Sequence, residues 1–246
     1  TASARRDGSS RFKNEKWGTF GSIGASWVIS KESFMEKLSF VNNLKLKASY
    51  GVMGDQEGVG FYSVWDTYSI GNLNDDYSIS ALDNGNADLT WESSKIFQVG
   101  IETRLFDFLD VNIDYYEKNT TDLFFDRRVG PGQGIAIIRV NDGNLLNRGL
   151  EFDLNANLIK GKEKGDFNLD FGINGEMFTN KITKMPINPA NGLPKAVDPS
   201  EAPYAWAEGR SIYDFYLREW AGVDPATGVG MWYMNFNDVN TNGIYD

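Results

Sequence analysis

Residues 94–119, SKIFQVGIETRLFDFLDVNIDYYEKN, decide the fold. On both sides of a corner at Asp107 and Phe108, apolar and polar side chains alternate for about eleven residues. A period of two predicts β-strands with one apolar face and one polar face. Strands of soluble proteins usually have ~5–6 residues, whereas a tilted strand needs ~9–11 residues to cross a bilayer. The stretch is therefore predicted to be two membrane-crossing strands of a barrel, with lipid on one side and water on the other.

The same alternation recurs along the chain. It predicts further strands over residues 2–12, 18–30, 43–53, 147–159 and 166–178, which makes about seven strands with the two arms of the hairpin. The apolar face predicted to meet lipid includes Leu44, Leu46, Ile101, Val111, Phe152 and Phe171. The polar face predicted to line the lumen includes Lys45, Lys47, Glu102, Asp114, Glu151 and Asp170.

The connections between these strands alternate in length. Residues 54–93, residues 120–146 and the segment from residue 180 are long, whereas the corner at 107–108 and residues 160–165 are short. Outer-membrane barrels have long external loops and short periplasmic turns. The predicted fold class is therefore all-β, part of a large antiparallel transmembrane β-barrel with long extracellular loops. An odd strand count would leave unpaired backbone in lipid, so we expect the remaining strands to lie outside this chain.

Composition excludes several function classes. The net charge of −10 argues against a nucleic-acid partner. The absence of His and Cys removes the Ser-His-Asp arrangement and thiolate chemistry. With 34 acidic residues, carboxylate pairs arise by chance, so their presence does not indicate glycoside hydrolysis. We predict that the chain is not an enzyme and has no organic cofactor.

Two segments are candidates for binding. Residues 54–93 hold eight acids and no Lys or Arg, and their aromatic side chains Trp65, Tyr68 and Trp91 suit a sugar face or a protein partner. The alternative is that these rings pack the loops against one another. Near the end of the chain, the spacing of Asp238, Asn240, Asn242 and Asp246 resembles the start of a calcium loop, with Gly243 at the sixth position. The alternative there is an Asn/Gly turn.

Several longer blocks resemble one known family. They are SRF (10–12), WGTFGSIGASWVISKESFM (17–35), NNLKLKASYGVMG (42–54), LTWESSK (89–95), VGIETRLFD (99–107), DYYEKNTTDLFF (114–125), NRGLEFDLN (147–155), EGRSIYDFY (208–216) and AGVDPATG (221–228). In type and order these blocks are similar to SusC/RagA-type TonB-dependent transporters of Bacteroidetes.

The resemblance implies a 22-stranded outer-membrane barrel with an N-terminal plug. It also implies TonB-driven import of oligosaccharides or peptides and a SusD/RagB-like surface lipoprotein that acts as a lid. Residues 1–246 would be part of the barrel, with the plug, which contacts TonB, and the other strands elsewhere. Trp65, Tyr68 and Trp91 would then touch substrate or lid, and the acidic loop predicts a neutral or weakly charged oligomer, since it repels polyanions. The competing hypothesis is a soluble extracellular carbohydrate-binding or adhesin module.

Overall fold

The computed structural model describes residues 1–128, 137–161, 165–189, 191–196, 204–217 and 219–233. The strands are β1 (Ala2–Gly8), β2 (Trp17–Val28), β3 (Val41–Asp55), β4 (Thr67–Leu73), β5 (Asp76–Asp83), β6 (Glu92–Leu105), β7 (Leu109–Arg128), β8 (Ile137–Ile159), β9 (Leu169–Lys184), β10 (Trp220–Val223) and β11 (Gly230–Trp232). The main feature is a seven-stranded antiparallel sheet in the order β1-β2-β3-β6-β7-β8-β9, accompanied by two separate two-stranded hairpins, β4–β5 and β10–β11.

The seven strands of the large sheet confirm the predicted number and order of strands. Two short 3-10 turns, Ile29–Lys31 and Ser33–Met35, join β2 to β3. Among the described residues, no helix is both long and apolar enough to cross a membrane. The two small hairpins were not predicted, because residues 54–93 and the segment from residue 180 were read as loops.

Strand register keeps the two faces separate across the sheet. Leu46 lies opposite Ile101, Ile101 opposite Ile113, and Ile113 opposite Phe152, which makes an apolar row over four strands. The neighbouring row on the other face is Lys45, Glu102, Asn112, Asp153 and Asn174. A slip of one residue would exchange the two faces, so this register is the one that the alternating pattern requires.

The apolar face has no layer packed over it in the described part of the chain. Ile101 is 44% exposed and Ile113 is 41% exposed although both lie in the middle of the sheet. The fully buried apolar residues are instead found at one end, where Phe12, Val59, Val64 and Leu89 form a small cluster. A sheet that is apolar on one face and has no core behind it matches the predicted lipid-facing surface.

The corner between β6 and β7 is a tight turn. Phe106 and Asp107 have φ of 54° and 63°, and the N–H of Phe108 donates to the carbonyl of Leu105 at 3.2 Å. Two consecutive left-handed residues give a type I′ turn, whose twist suits a hairpin. The side-chain oxygen of Asn42 accepts from the Asp107 N–H at 2.8 Å, and the Asn42 amide donates to the Asp107 carboxylate. These bonds fix the turn to the neighbouring strand β3.

Three predicted boundaries are wrong. The strand predicted over residues 2–12 ends at Gly8. Residues 120–146 are not a long loop, because β7 continues to Arg128 and β8 begins at Ile137, with pairing from Leu123↔Gly143 to Arg128↔Ile137. The strand predicted over 166–178 lies instead at Leu169–Lys184, so it continues into the segment read as a loop. In β7 a bulge near Asp122, whose φ is 61°, interrupts the alternation although the backbone pairing continues. In β9 the polar run Thr179, Asn180 and Lys181 hides the continuation of the strand.

Candidate functional site

The polar face of the sheet carries an ion-paired network on strands β3, β6 and β7. The Nζ atom of Lys45 lies 3.0 Å from the Glu102 carboxylate, and Nζ of Lys47 lies 3.1 Å from Glu102 and 3.0 Å from Asp114. Gly100 makes this possible, because a Cβ there would lie 2.0 Å from Oδ1 of Asp114. These four charged residues share one face, as the sequence predicted for the lumen.

Towards β8 and β9 the polar face becomes acidic. A shallow open depression is lined by Lys47, Glu102, Asn112, Asp114, Glu151, Phe152, Asp153, Asn174, Gly175 and Glu176. Within the described residues, Glu151, Asp153 and Glu176 have no Lys or Arg nitrogen within 4 Å, whereas Lys47 is shared by two other acids. The hydroxyl of Tyr116 donates to Glu176. The wall therefore presents a surplus of negative charge towards the space it faces.

At one end of the sheet, residues 56–66 and 84–91 are fixed by packing, whereas the β4–β5 hairpin between them is exposed. Phe12, Val59, Val64 and Leu89 form the buried cluster, and Trp91 and Phe124 pack against it. The cluster joins the β1–β2 connection, the long segment and the extended part of β7. Much of the segment that the sequence suggested as an open loop is thus a packed rim.

Polar contacts strengthen this rim. The guanidinium of Arg11 donates to the carbonyl of Val59 at 2.8 Å, and Asn86 donates to the carbonyl of Arg139 at 2.9 Å. The amide of Asn141 donates to the carbonyl of Thr90 and its oxygen accepts from the N–H of Thr90, both at 2.9 Å. The partners are far apart in sequence, so no local pattern could have identified Arg11, Asn86 or Asn141.

Glu92, the first residue of β6, is bonded to the extended part of β7. Its carboxylate accepts a hydrogen bond from the N–H of Phe124 at 2.8 Å. Burial raises the pKa of Glu92 above its ordinary value, and the nearby charge of Asp55, its cross-strand neighbour, acts in the same direction. The hydrogen bond from Phe124 opposes this shift.

The three aromatic residues singled out in the sequence do not form one site. Trp65 is 49% exposed and Nζ of Lys13 lies 4.5 Å from its ring centroid. Tyr68 is 62% exposed on β4. The ring of Trp91 lies 5.2 Å from Phe12 and 5.6 Å from Phe20, in the packed rim. Contact of these three residues with substrate or lid stays a prediction. The exposed Trp65 and Tyr68 suit such a contact better than the packed Trp91 does.

The suggested calcium ligands Asp238, Asn240, Asn242 and Asp246 lie outside the described residues, so calcium binding there stays a prediction. Within the described ranges, no group of three or more acids is placed to hold a metal ion. The turn before that segment is built by Asp224, whose carboxylate accepts from Thr227 at 2.6 Å and from the N–H of Ala226 at 2.9 Å. These bonds lower the pKa of Asp224.

Comparison with known proteins agrees with this geometry. Residues 1–243 match the family described as TonB dependent receptor-like, beta-barrel. The chain belongs to this family. This membership confirms the predictions of a β-barrel segment, of an outer-membrane location and of a non-enzymatic role. The soluble-module hypothesis is set aside.

Relatives of this TonB-dependent receptor segment are much longer than the chain. TonB-dependent receptors P39 and P3 of Formosa agariphila are 40% and 31% identical over 65% and 91% of the chain, which spans 16% and 23% of those proteins. TonB-dependent receptor SusC of Bacteroides thetaiotaomicron is 34% identical over 75% of the chain, which spans 19% of it.

Solved structures of the RagAB peptide importer also match. Its 'closed-closed' state covers 94% of the chain with a TM-score of 0.79 and 29% identity, and its 'open-open' state covers 96% with a TM-score of 0.82 and 28% identity. In both cases the match takes up 25% of the solved chain. The seven-stranded sheet is thus similar to one part of a larger barrel.

Proposed function

We propose that this chain is a wall segment of a TonB-dependent importer that takes up oligosaccharides or peptides together with a SusD-like surface lipoprotein. The observation that carries the proposal is the two-faced sheet, with an ion-paired, acidic wall on one side and uncovered apolar residues on the other. A transporter needs both, since the outside must dissolve in lipid while the inside must admit a hydrated solute.

We also propose an orientation. The packed rim at residues 56–66 and 84–91 and the extended β7–β8 hairpin share one end of the sheet, while the corner at Asp107 and the β8–β9 connection share the other. Barrels carry their larger loops outside the cell, so the rim faces the surface. Protease added to intact cells should then cut within the β4–β5 hairpin and spare the Asp107 corner, and the opposite pattern would reverse the orientation.

The charge of the wall bears on the substrate. Glu151, Asp153 and Glu176 lack basic partners among the described residues, and residues 54–93 add eight acids without a Lys or Arg. A negative field disfavours entry of polyanions. We therefore favour a neutral or weakly charged oligomer, either a glycan or a peptide.

Uptake by cells tests the function. The parent protein is produced in a strain with and without functional TonB, and entry of labelled neutral oligosaccharides, peptides and a sulfated polysaccharide fragment is compared. We expect TonB-dependent uptake of one of the first two classes. Equal uptake without TonB would refute an energised importer, and strong uptake of the sulfated fragment would refute the charge argument alone.

A further inference from the structure

Three basic side chains lie on the apolar face of the large sheet, where its row of apolar residues ends. They are Lys95 on β6, Arg148 on β8 and Lys181 on β9, and all three are exposed. In β8, Phe152, Leu150 and Arg148 occupy every second position, which keeps their side chains on one face of the strand. The polar face thus carries a surplus of acids, whereas the end of the apolar face carries bases.

Strand register brings the three cations together. Lys95 and Lys181 belong to one row of the sheet, which crosses the strands between them at Asn119 and Leu146. Arg148 belongs to the adjacent row on the same face, next to Leu146. Neighbouring strands lie ~4.8 Å apart, so one large headgroup that lies over β7 and β8 is within reach of all three long side chains.

The three cations have no acidic partner in the described part of the chain. No carboxylate oxygen there lies within 4 Å of Nζ of Lys95 or Lys181, or of the guanidinium nitrogens of Arg148. Glu117 is the cross-strand neighbour of Arg148, but its carboxylate accepts instead from the hydroxyl of Tyr115 at 3.4 Å. The positive charge at this edge is therefore available to an external anion.

The height of the cations matches the edge of a bilayer. About ten residues of β6 separate Lys95 from Leu105, which lies beside the Asp107 corner. At ~3.3 Å per residue and a tilt of ~35–45°, they rise ~25 Å, the height of the apolar band of outer-membrane barrels. At the other edge of this band the rings of Phe40 and Phe106 stack with centroids 5.5 Å apart, as is typical of a membrane interface. The cations therefore lie at the level of lipid headgroups.

A shallow depression on the apolar face adjoins Arg148. Its lining includes Tyr115, Leu150, Met177 and Thr179. The strands on both sides of Arg148, β7 and β9, belong to the sheet, so the depression is complete within this chain. Apolar side chains towards the middle of the band and a cation at its edge suit an acyl chain with an anionic headgroup.

We infer that Lys95, Arg148 and Lys181 bind the phosphate groups of a membrane lipid, with one of its acyl chains in the depression beside Arg148. The outer-membrane location of the barrel supplies this occupant, because lipid covers the apolar face of a barrel. The leaflet rests on the orientation proposed above, which places the rim and these cations at the cell surface. The ligand is therefore the phosphorylated glycolipid of the outer leaflet. This lipid site is separate from the solute path on the polar face.

Native mass spectrometry of the full-length transporter in detergent tests the charges. Lipid A is added to the unaltered protein, to Arg148→Gln with Lys181→Gln, and to Lys118→Gln. Lys118 is a matched control because it lies opposite Asn147, at the height of Arg148 and on the other face of the sheet. We expect the double variant to bind lipid A about tenfold more weakly or less still, and Lys118→Gln to bind it as the unaltered protein does.

The other outcomes overturn the inference in distinct ways. Equal weakening by Lys118→Gln would show a general attraction to the charge of the protein. Tight binding of lipid A stripped of its phosphates would refute phosphate recognition, and stronger binding of phosphatidylglycerol would refute the glycolipid. A dimer that is lost in the double variant, with lipid A binding unchanged, would assign the cations to a second copy of the chain. A protein that binds lipid A through these residues but fails the uptake test would refute the proposed function alone.

A second measurement isolates the depression. Met177→Trp fills it without changing a charge, whereas Ile173→Trp places the same ring on the same face of β9, opposite Leu154 and away from Arg148. Both positions are exposed, at 64% for Met177 and 48% for Ile173. We expect Met177→Trp to weaken lipid A binding about threefold to tenfold, since it displaces buried acyl surface, and Ile173→Trp to leave it unchanged. Equal effects of the two variants would overturn the placement of the acyl chain.

Discussion

The β6–β7 and β4–β5 hairpins share a local design and differ in surroundings. Both turn through two consecutive non-glycine residues at positive φ, Phe106-Asp107 in one and Asn74-Asp75 in the other. Both gather apolar side chains on one face. The strands of the first have 14 and 20 residues, whereas those of the second have 7 and 8.

The position of the charges separates the two hairpins. In β6–β7, Glu102 and Asp114 lie within the polar face and are ion-paired with Lys47 of the neighbouring strand. In β4–β5 the acids stand at the ends, and the polar face between them is made of Ser and Gly. A long strand with a charged face suits a wall between lipid and water.

The largest expected difference between the hairpins concerns their apolar faces. Ile101→Arg should lower the free energy of unfolding of the full-length protein in lipid vesicles by ~2–4 kcal/mol, because Ile101 lies near the middle of the spanning part of β6. Ile79→Arg should change it by less than ~0.5 kcal/mol, because that side chain is already in water. Urea titration followed by Trp fluorescence measures both. Equal costs would show that the two faces have the same surroundings.

The next difference concerns the polar faces. Lys47→Ala removes the cation shared by Glu102 and Asp114 and should cost ~1–3 kcal/mol, less than a fully buried pair because these side chains are partly exposed. Ser80→Ala removes one hydroxyl pair from the small hairpin and should cost ~0.2–1 kcal/mol. In the double variant Lys47→Ala with Asp114→Asn, part of the first loss should be recovered. Strictly additive effects would mean that the pair does not interact.

The two turns should differ by a smaller amount. Alanine at a left-handed position costs ~1–2 kcal/mol, and this applies to Asp107→Ala and Asp75→Ala alike. Asp107→Ala also loses the hydrogen bond from Asn42, so its cost should be larger by ~1 kcal/mol. Unfolding of the two variants gives this difference. Asn42→Ala by itself should also destabilise the protein, and an Asn42→Ala variant as stable as the wild type would show that the bonds between Asn42 and Asp107 have no energetic role.

The smallest effect concerns pH at the outer end of β6. The folded-state pKa of Glu92 is raised by burial above its ordinary value of 4.5, so in the interval between the two values the folded protein binds more protons than the unfolded one. Stability should therefore fall as pH rises through that interval. Glu92→Gln keeps an acceptor for the Phe124 N–H and should remove this decline. A decline of the same size in the variant would assign it to another group.

The candidate site was only partly predictable. The lumen positions of Lys45, Lys47, Glu102 and Asp114 follow from alternation alone. The packing of Trp91 could not be predicted, because the rings that contact it, Phe12 and Phe20, are remote in sequence. The β4–β5 hairpin did have a local signal, the Asn74-Asp75 turn between two alternating runs, which is typical of a hairpin.

The sequence by itself determined the seven strands of the large sheet apart from several of their ends, the two faces of those strands, the corner at Asp107 and the family. The physical reason is that alternation is a local property, and a sheet between lipid and water imposes it on every spanning strand. The tertiary structure alone decided how far β7 and β8 extend, which residues fix the rim, and which side of β4–β5 is open. Those features depend on contacts such as Asn141 with Thr90 and Arg11 with Val59, whose partners are about fifty residues apart in the chain, at separations of 51 and 48.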